Sequence, residues 1–271
     1  GGRFHRRPDR GAFLPRSPAV NILSGFADVS LAQLALVGCV AMFASVVGGL
    51  AGYGTGALMP LVLVPLIGAE PVVPIIAISS IFSNFSRFLA FIRHADRRRA
   101  LIVVLGAWVT TALGAYGYTR LTGAGAALVI GTMLLLSVPL RRLAKRRDIR
   151  IGDGGLAMAA VGYGVVVGGT SGSGVILLSL LMAAGLEGAA VIATDAVISL
   201  VTGVIKIAVF GLAGAVTAQV LAFAVLIGAI ALPGAFLAKA LVERMPLHVH
   251  TAILDAVVIA GGVMMISAAL R

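Results

Sequence analysis

Apolar residues in this chain do not alternate with polar ones. They run on in stretches of roughly 20, the length a helix needs to cross about 30 Å of hydrocarbon. Such stretches cover 29–50, 72–92, 100–118, 124–140, 154–168, 189–210, 216–237 and 251–270. Short polar punctuation divides them: Arg93-His-Ala-Asp-Arg-Arg-Arg99, the turn Thr119-Arg-Leu-Thr-Gly123, and Arg141-Arg-Leu-Ala-Lys-Arg-Arg-Asp-Ile-Arg150. Two further apolar segments, 57–67 and 175–184, are too short to span. Each follows a glycine-rich break: Gly52-Tyr-Gly-Thr-Gly56, with Pro60 and Pro65 beyond it, and Gly169-Thr-Ser-Gly-Ser-Gly174. Each closes on a glycine and a lone acid, Gly68-Ala-Glu70 and Gly185-Leu-Glu187.

The pattern predicts an all-α polytopic membrane protein with about eight transmembrane helices. These fall into two four-helix repeats, each carrying one short re-entrant or broken helix. The expected divisions are a disordered basic cytoplasmic tail over 1–28, a first repeat over 29–140, a basic cytoplasmic loop over 141–153 and a second repeat over 154–271. An apolar run of 29–50 is too long for a signal-peptide core and is taken as a retained first span. Undersized, interrupted segments at matching places in two halves are the best sequence pointer to a transporter binding site.

Basic clusters then choose a topology. If both short segments cross fully, ten spans result, and the 93–99 and 141–150 clusters lie opposite the basic tail. If both dip in and return, eight spans result and all three clusters share the cytoplasm, as the positive-inside rule prefers. The expectation is therefore a multi-pass protein of the inner (cytoplasmic) membrane with a cytoplasmic N-terminus. Its two halves would share one orientation, related by an axis along the membrane normal. Glu70 and Glu187 would both be solvated caps on the outer side.

Composition agrees and narrows the partners. Hydrophobic residues make up 60% of the 271, charged residues 11%, and mean hydropathy is +1.09. Outer-membrane barrel strands would alternate in polarity over about 10 residues, so that class is excluded. The formal charge of +11 sits in clusters between spans, where it specifies topology. No nucleic-acid partner is expected. Cys39 is the single cysteine, which leaves no internal disulfide. No cofactor or metal is expected, His248-Val-His250 lacking a third ligand. The expected partners are membrane lipid and a small anionic substrate, with a homo-oligomer left open.

With these motifs in hand, the chain resembles the TauE/SafE sulfite exporter family. The first copy reads Gly52-Tyr-Gly54-Thr-Gly56, Pro60, Gly68-Ala-Glu-Pro71 and Ser79-Ser80; the second reads Gly172-Ser-Gly174, Gly185-Leu-Glu-Gly188 and Thr194-Asp195. In the second copy Leu178 stands where the proline is expected and Asp195 replaces a small hydroxyl residue. The resemblance covers 29–270 and implies secondary transport, export included, of small anions such as sulfite or organosulfonates, driven by an ion gradient.

The candidate site follows from the residues themselves. Glycine permits close backbone approach, so Gly54, Gly56, Gly172 and Gly174, with Ser171, would turn freed amides inward. The helix starting at each break adds a partial positive charge, which suits an anion. On the spans that follow, Ser80, Asn84 and Arg87 recur at i, i+4, i+7, while Asp195, Ser199, Thr202 and Lys206 share one face beside Thr194. Charged groups at membrane depth cost at least about 2.5–3.5 kcal/mol and are functional candidates by default. Asp195 is the candidate for proton coupling, and Arg87 and Lys206 for attracting the anion. Asp195 pairing structurally with Arg87 of the other half is the competing reading.

Two rivals remain. A passive anion channel shares these features. An intramembrane serine protease is suggested by Gly169-Thr-Ser171-Gly172, although no histidine lies inside a predicted span to serve as its base.

Overall fold

The computed structural model describes residues 22–27, 29–51, 54–146, 150–234, 236–237 and 247–270. A 3-10 turn, Ile22–Phe26, leads into α1 (Leu31–Ala51), α2 (Gly54–Ile67), α3 (Val72–Phe91), α4 (Arg97–Tyr118) and α5 (Gly123–Arg146). The second half contributes α6 (Asp153–Gly169), α7 (Gly174–Ala183), α8 (Ala189–Leu212), α9 (Ala218–Ala231) and α10 (Leu247–Ala269). Helices α1, α3, α4, α5 and α8 are each long and apolar enough to cross a membrane. The chain is a multi-pass membrane protein, and its regular structure among the described residues is all helical. The short segments have 14 and 10 residues, giving about 21 and 15 Å of rise against about 30 Å of hydrocarbon.

Local chemistry sets several boundaries. Asp96 caps α4, its carboxylate accepting the Arg99 backbone N–H at 2.9 Å and the guanidinium at 2.6 Å. Thr217 caps α9 through Val220 N–H. Helix α5 runs on to Arg146, so much of the expected basic loop is its last turns. His248 and His250 belong to the first turn of α10 and not to a loop.

Small residues set the helix contacts, as membrane packing requires. A Cβ on Gly106 would lie 2.9 Å from Ala157 O, one on Gly114 3.0 Å from Gly169 N, and one on Gly168 2.8 Å from Ala115 N. Numbers rise together on both helices, so α4 and α6 run parallel. Glycines 25 and 38 meet Ala218 and Ile230 in the same sense, which makes α1 and α9 parallel too. Each interrupted pair therefore packs on a helix of the other half. The apolar core follows suit, one cluster drawing on α4, α6, α7 and α8 and another on α1, α2, α3 and α9 among others.

The two ends of the bundle can be told apart by their bonds. Ile151 N–H donates to Ala183 O at 2.8 Å, tying the start of α6 to the end of α7. Arg98 pairs with Asp153 at 2.6 Å, and Asp96 N–H donates to Thr194 Oγ1 at 2.9 Å, so the α3–α4 connection shares that end. At the other end Tyr118 donates to Ala69 O at 2.6 Å and packs on Phe210, while Phe26 packs on Phe223.

Helices α6 and α7 thus form a hairpin that opens at the arginine end, and α1 and α2 one that opens at the Tyr118 end. Helices α3 and α8 consequently run in opposite directions. This corrects two expectations. The short segments do not dip in and return to the face reached by the preceding span; each leads back to where its own hairpin began. The halves are inverted relative to one another, not alike in orientation. Glu70 and Glu187, both exposed, accordingly lie at opposite ends.

Candidate functional site

The hairpin tips meet in the interior. A Cβ on Gly56, in the first turn of α2, would lie 2.8 Å from Gly172 N and 3.1 Å from Gly172 Cα. Only a hydrogen at Gly56 lets the two backbones come this close. Gly172 itself adopts φ +80°, a left-handed conformation that glycine tolerates. Thr170 is extended, with φ −149° and ψ −177°. The chain therefore leaves α6 abruptly, turns at Gly172 and starts α7.

Beside this junction lies a cavity of about 100 Å³. Its floor comes from the breaks, Thr55 and Gly56 of one half and 170–174 of the other. Its walls come from α3 (Ile76, Ala77, Ser80, Asn84, Arg87), α8 (Ser199, Thr202, Gly203, Lys206) and α6 (Tyr163, Val167). Of the residues singled out in the sequence, Gly56, Ser80, Asn84, Arg87, Ser171, Gly172, Gly174, Ser199, Thr202 and Lys206 are brought together here.

Three are not. Gly54 packs against Gly48 of α1, a Cβ there meeting Gly48 Cα at 2.9 Å. Thr194 is occupied at the arginine end by Asp96 N–H. Asp195 lies behind the wall, wholly buried, with Oδ2 accepting from Arg87 at 2.7 Å. The competing reading of Asp195 is the arrangement observed: an ion pair linking α3 to α8 across the two halves. Arg87 also donates to Asn84 Oδ1, which leaves the Asn84 amide N–H groups to serve as donors. Thr170, Ser173 and Tyr163 are lining residues the sequence reading did not pick. The first two lie inside the break it quoted, but Tyr163 carries no signal that separates it from a packing aromatic.

Charge and hydrogen-bond capacity are lopsided. Lys206 is 6% exposed, and its Nζ donates to Thr170 O at 3.1 Å. That bond caps the carbonyl end of α6. An ammonium has three donors, and no carboxylate pairs with Lys206 among the described residues. Ser171 Oγ is buried and has no partner among the described residues. Ser173 makes no side-chain capping bond to α7, and the first backbone N–H groups to bond there are those of Ile176 and Leu177, both to Ser173 O. The amides of Gly174 and Val175 precede them, at the positive end of the dipole. Arg87 is balanced by Asp195, and Lys206 has no such partner among the described residues, so the cavity offers donors and, when Lys206 is protonated, positive charge.

A hydrolytic site needs a base within hydrogen-bond reach of the nucleophile, and Ser171 Oγ has none among the described residues.

Comparison with known proteins comes down to one finding. No curated protein and no solved structure gives a significant match. The family model described as Sulfite exporter TauE/SafE matches residues 37–265, which include both hairpin tips, the whole of α3 and α8 and every lining residue of the cavity. The chain belongs to the TauE/SafE sulfite exporter family of membrane transporters.

Proposed function

We propose that this protein exports a small oxyanion, sulfite or a short organosulfonate, across the cytoplasmic membrane by ion-coupled alternating access. The observation that carries the reading is the buried Lys206 side chain, without a carboxylate partner among the described residues, lining a cavity that also presents hydroxyl and amide donors. An anion among Lys206, Ser171 Oγ and the amides at the start of α7 would satisfy all of them at once. Buried charge without such compensation is costly. A volume of about 100 Å³ suits a molecule of a few heavy atoms. The inverted hairpins suit rocking of one half against the other around a fixed site. The Arg87–Asp195 pair lies toward the arginine end and would obstruct passage there.

The orientation is part of the proposal. Arg93, Arg97, Arg98, Arg99 and Arg150 lie at one end and Arg120 at the other, so the positive-inside rule puts the arginine end in the cytoplasm. Ile22 then lies at the outer end, and this replaces the expectation that the chain enters the membrane from the cytoplasm.

The test is binding of sulfite and of methanesulfonate to the purified full chain, followed by efflux from proteoliposomes. Saturable binding and efflux of at least one of them are expected. A protein that neither binds nor moves either anion, although correctly folded, overturns the reading. Efflux that rises linearly with concentration, without saturation, would favour a passive channel.

A further inference from the structure

Lys206 is the one charged group that both borders the cavity and lacks a charged partner among the described residues. Arg87 borders it too but is held by Asp195 at 2.7 Å, and a guanidinium is not deprotonated in proteins. Asp195 is wholly buried and is absent from the cavity lining, so substrate cannot reach its carboxylate directly. It lies 11 residues from Lys206 on α8, about 16 Å of helix rise. The surroundings of Lys206 are otherwise poor in titratable groups. Helix α6 presents Tyr163 and α3 presents Arg87; α7 and α9 contain no ionisable residue, and the arginines of α4 lie in its first turn at the arginine end.

We propose that Lys206 is the group that couples the anion to a proton, gaining its proton when the anion binds and losing it when the anion leaves. The proposal rests on the anion-site reading above and adds the identity of the coupling group. A buried ammonium is costly without an opposite charge; an anion beside it removes that cost, so proton and anion each favour the binding of the other. By linkage the effect is reciprocal. On release, one N–H bond of the ammonium breaks, its electron pair stays on Nζ, and the proton passes to water entering the opened cavity with the departing anion. The neutral amine can still donate to the Thr170 carbonyl, so the α6 terminus stays capped in both forms. Anion and proton then travel together, whichever gradient drives them.

The experiment is titration calorimetry of the full chain with sulfite and with methanesulfonate, in pairs of buffers of different ionisation enthalpy. Methanesulfonate does not titrate near neutrality, so any proton taken up with it belongs to the protein. The wild-type protein is expected to take up as much as one proton per anion. Lys206→Arg keeps the charge but cannot shed it, and is expected to bind without proton uptake. Lys206→Met is expected to lose about tenfold or more in affinity. Proton uptake by Lys206→Arg equal to that of the wild type overturns the proposal, as does wild-type binding with no uptake. Should the arginine variant fail to fold, wild-type proteoliposomes give the answer: methanesulfonate flux without accompanying proton movement refutes the coupling. If the wild type binds neither anion, the site reading itself fails and this proposal goes with it.

Discussion

The contact between Gly56 and Gly172 gives the most direct test of how the site is built. Alanine at position 56 places a Cβ 2.8 Å from Gly172 N and 3.1 Å from its Cα. Ordinary contact begins near 3.4 Å, so the two tips must part by 3.4 − 2.8 = 0.6 Å. Both obstructing atoms are backbone, which has no rotamer through which to yield. Overpacking of this kind costs about 1–3 kcal/mol. If the cost falls on the closed, anion-binding arrangement, affinity drops by roughly 5- to 150-fold. The helices on either side are otherwise untouched, so the protein should still fold.

Gly68→Ala is the control. Position 68 has φ +83° with nothing within 4 Å of a Cβ. Alanine there stores about 1–2 kcal/mol of backbone strain far from the tips. The expected result is a separation of effects: Gly68→Ala lowers the melting temperature in detergent and leaves sulfite affinity alone, whereas Gly56→Ala lowers affinity disproportionately. Wild-type affinity and efflux in Gly56→Ala would refute the idea that the two tips together form the site.

Three other outcomes follow from particular contacts. Ser171→Ala removes a buried hydroxyl with no partner, so thermal stability should hold or rise slightly while anion affinity falls roughly 10- to 100-fold, the worth of a hydrogen bond to a charged group. Asp195→Asn leaves Arg87 buried without its counter-charge and should cost about 3–5 kcal/mol in unfolding experiments, whereas the double variant Arg87→Met, Asp195→Leu should recover most of it. Asp96→Ala should cost about 1 kcal/mol through loss of the α4 cap. The Arg99 backbone N–H, then its guanidinium, hold the Asp96 carboxyl below the usual carboxylate range. A lowered folded-state value means that this stabilisation is full above that range and fades as pH falls through it, so the gap between wild type and variant should close on acidification below about pH 4.

The hydrophobic runs alone determined that the chain is helical and crosses membranes, because a bilayer demands long apolar segments and tolerates few alternatives. The breaks at 52–56 and 169–174 were visible for the same reason: glycine and serine clusters stand out against apolar sequence. The stripe through Ser80, Asn84 and Arg87 was equally plain, since helical periodicity is a local property. The direction of each hairpin was not written locally. Basic clusters report which face a loop prefers, but they cannot say whether a short segment goes on or folds back, and that choice inverted one half against the other.

Partnership was likewise a tertiary matter. From sequence, Asp195 could serve a proton or pair with Arg87, and nothing local chose between the two. Only packing α3 across α8 gave Asp195 to Arg87, leaving Lys206 with the carbonyl of Thr170. Thr194 and Gly54 left the site because their neighbours lie about 100 and 6–10 residues away in the chain, at Asp96, Gly48 and Ala44. Sequence fixes what each residue is able to bond, but a helical bundle brings distant positions together by packing, and it is that proximity that decides which charge remains for a ligand.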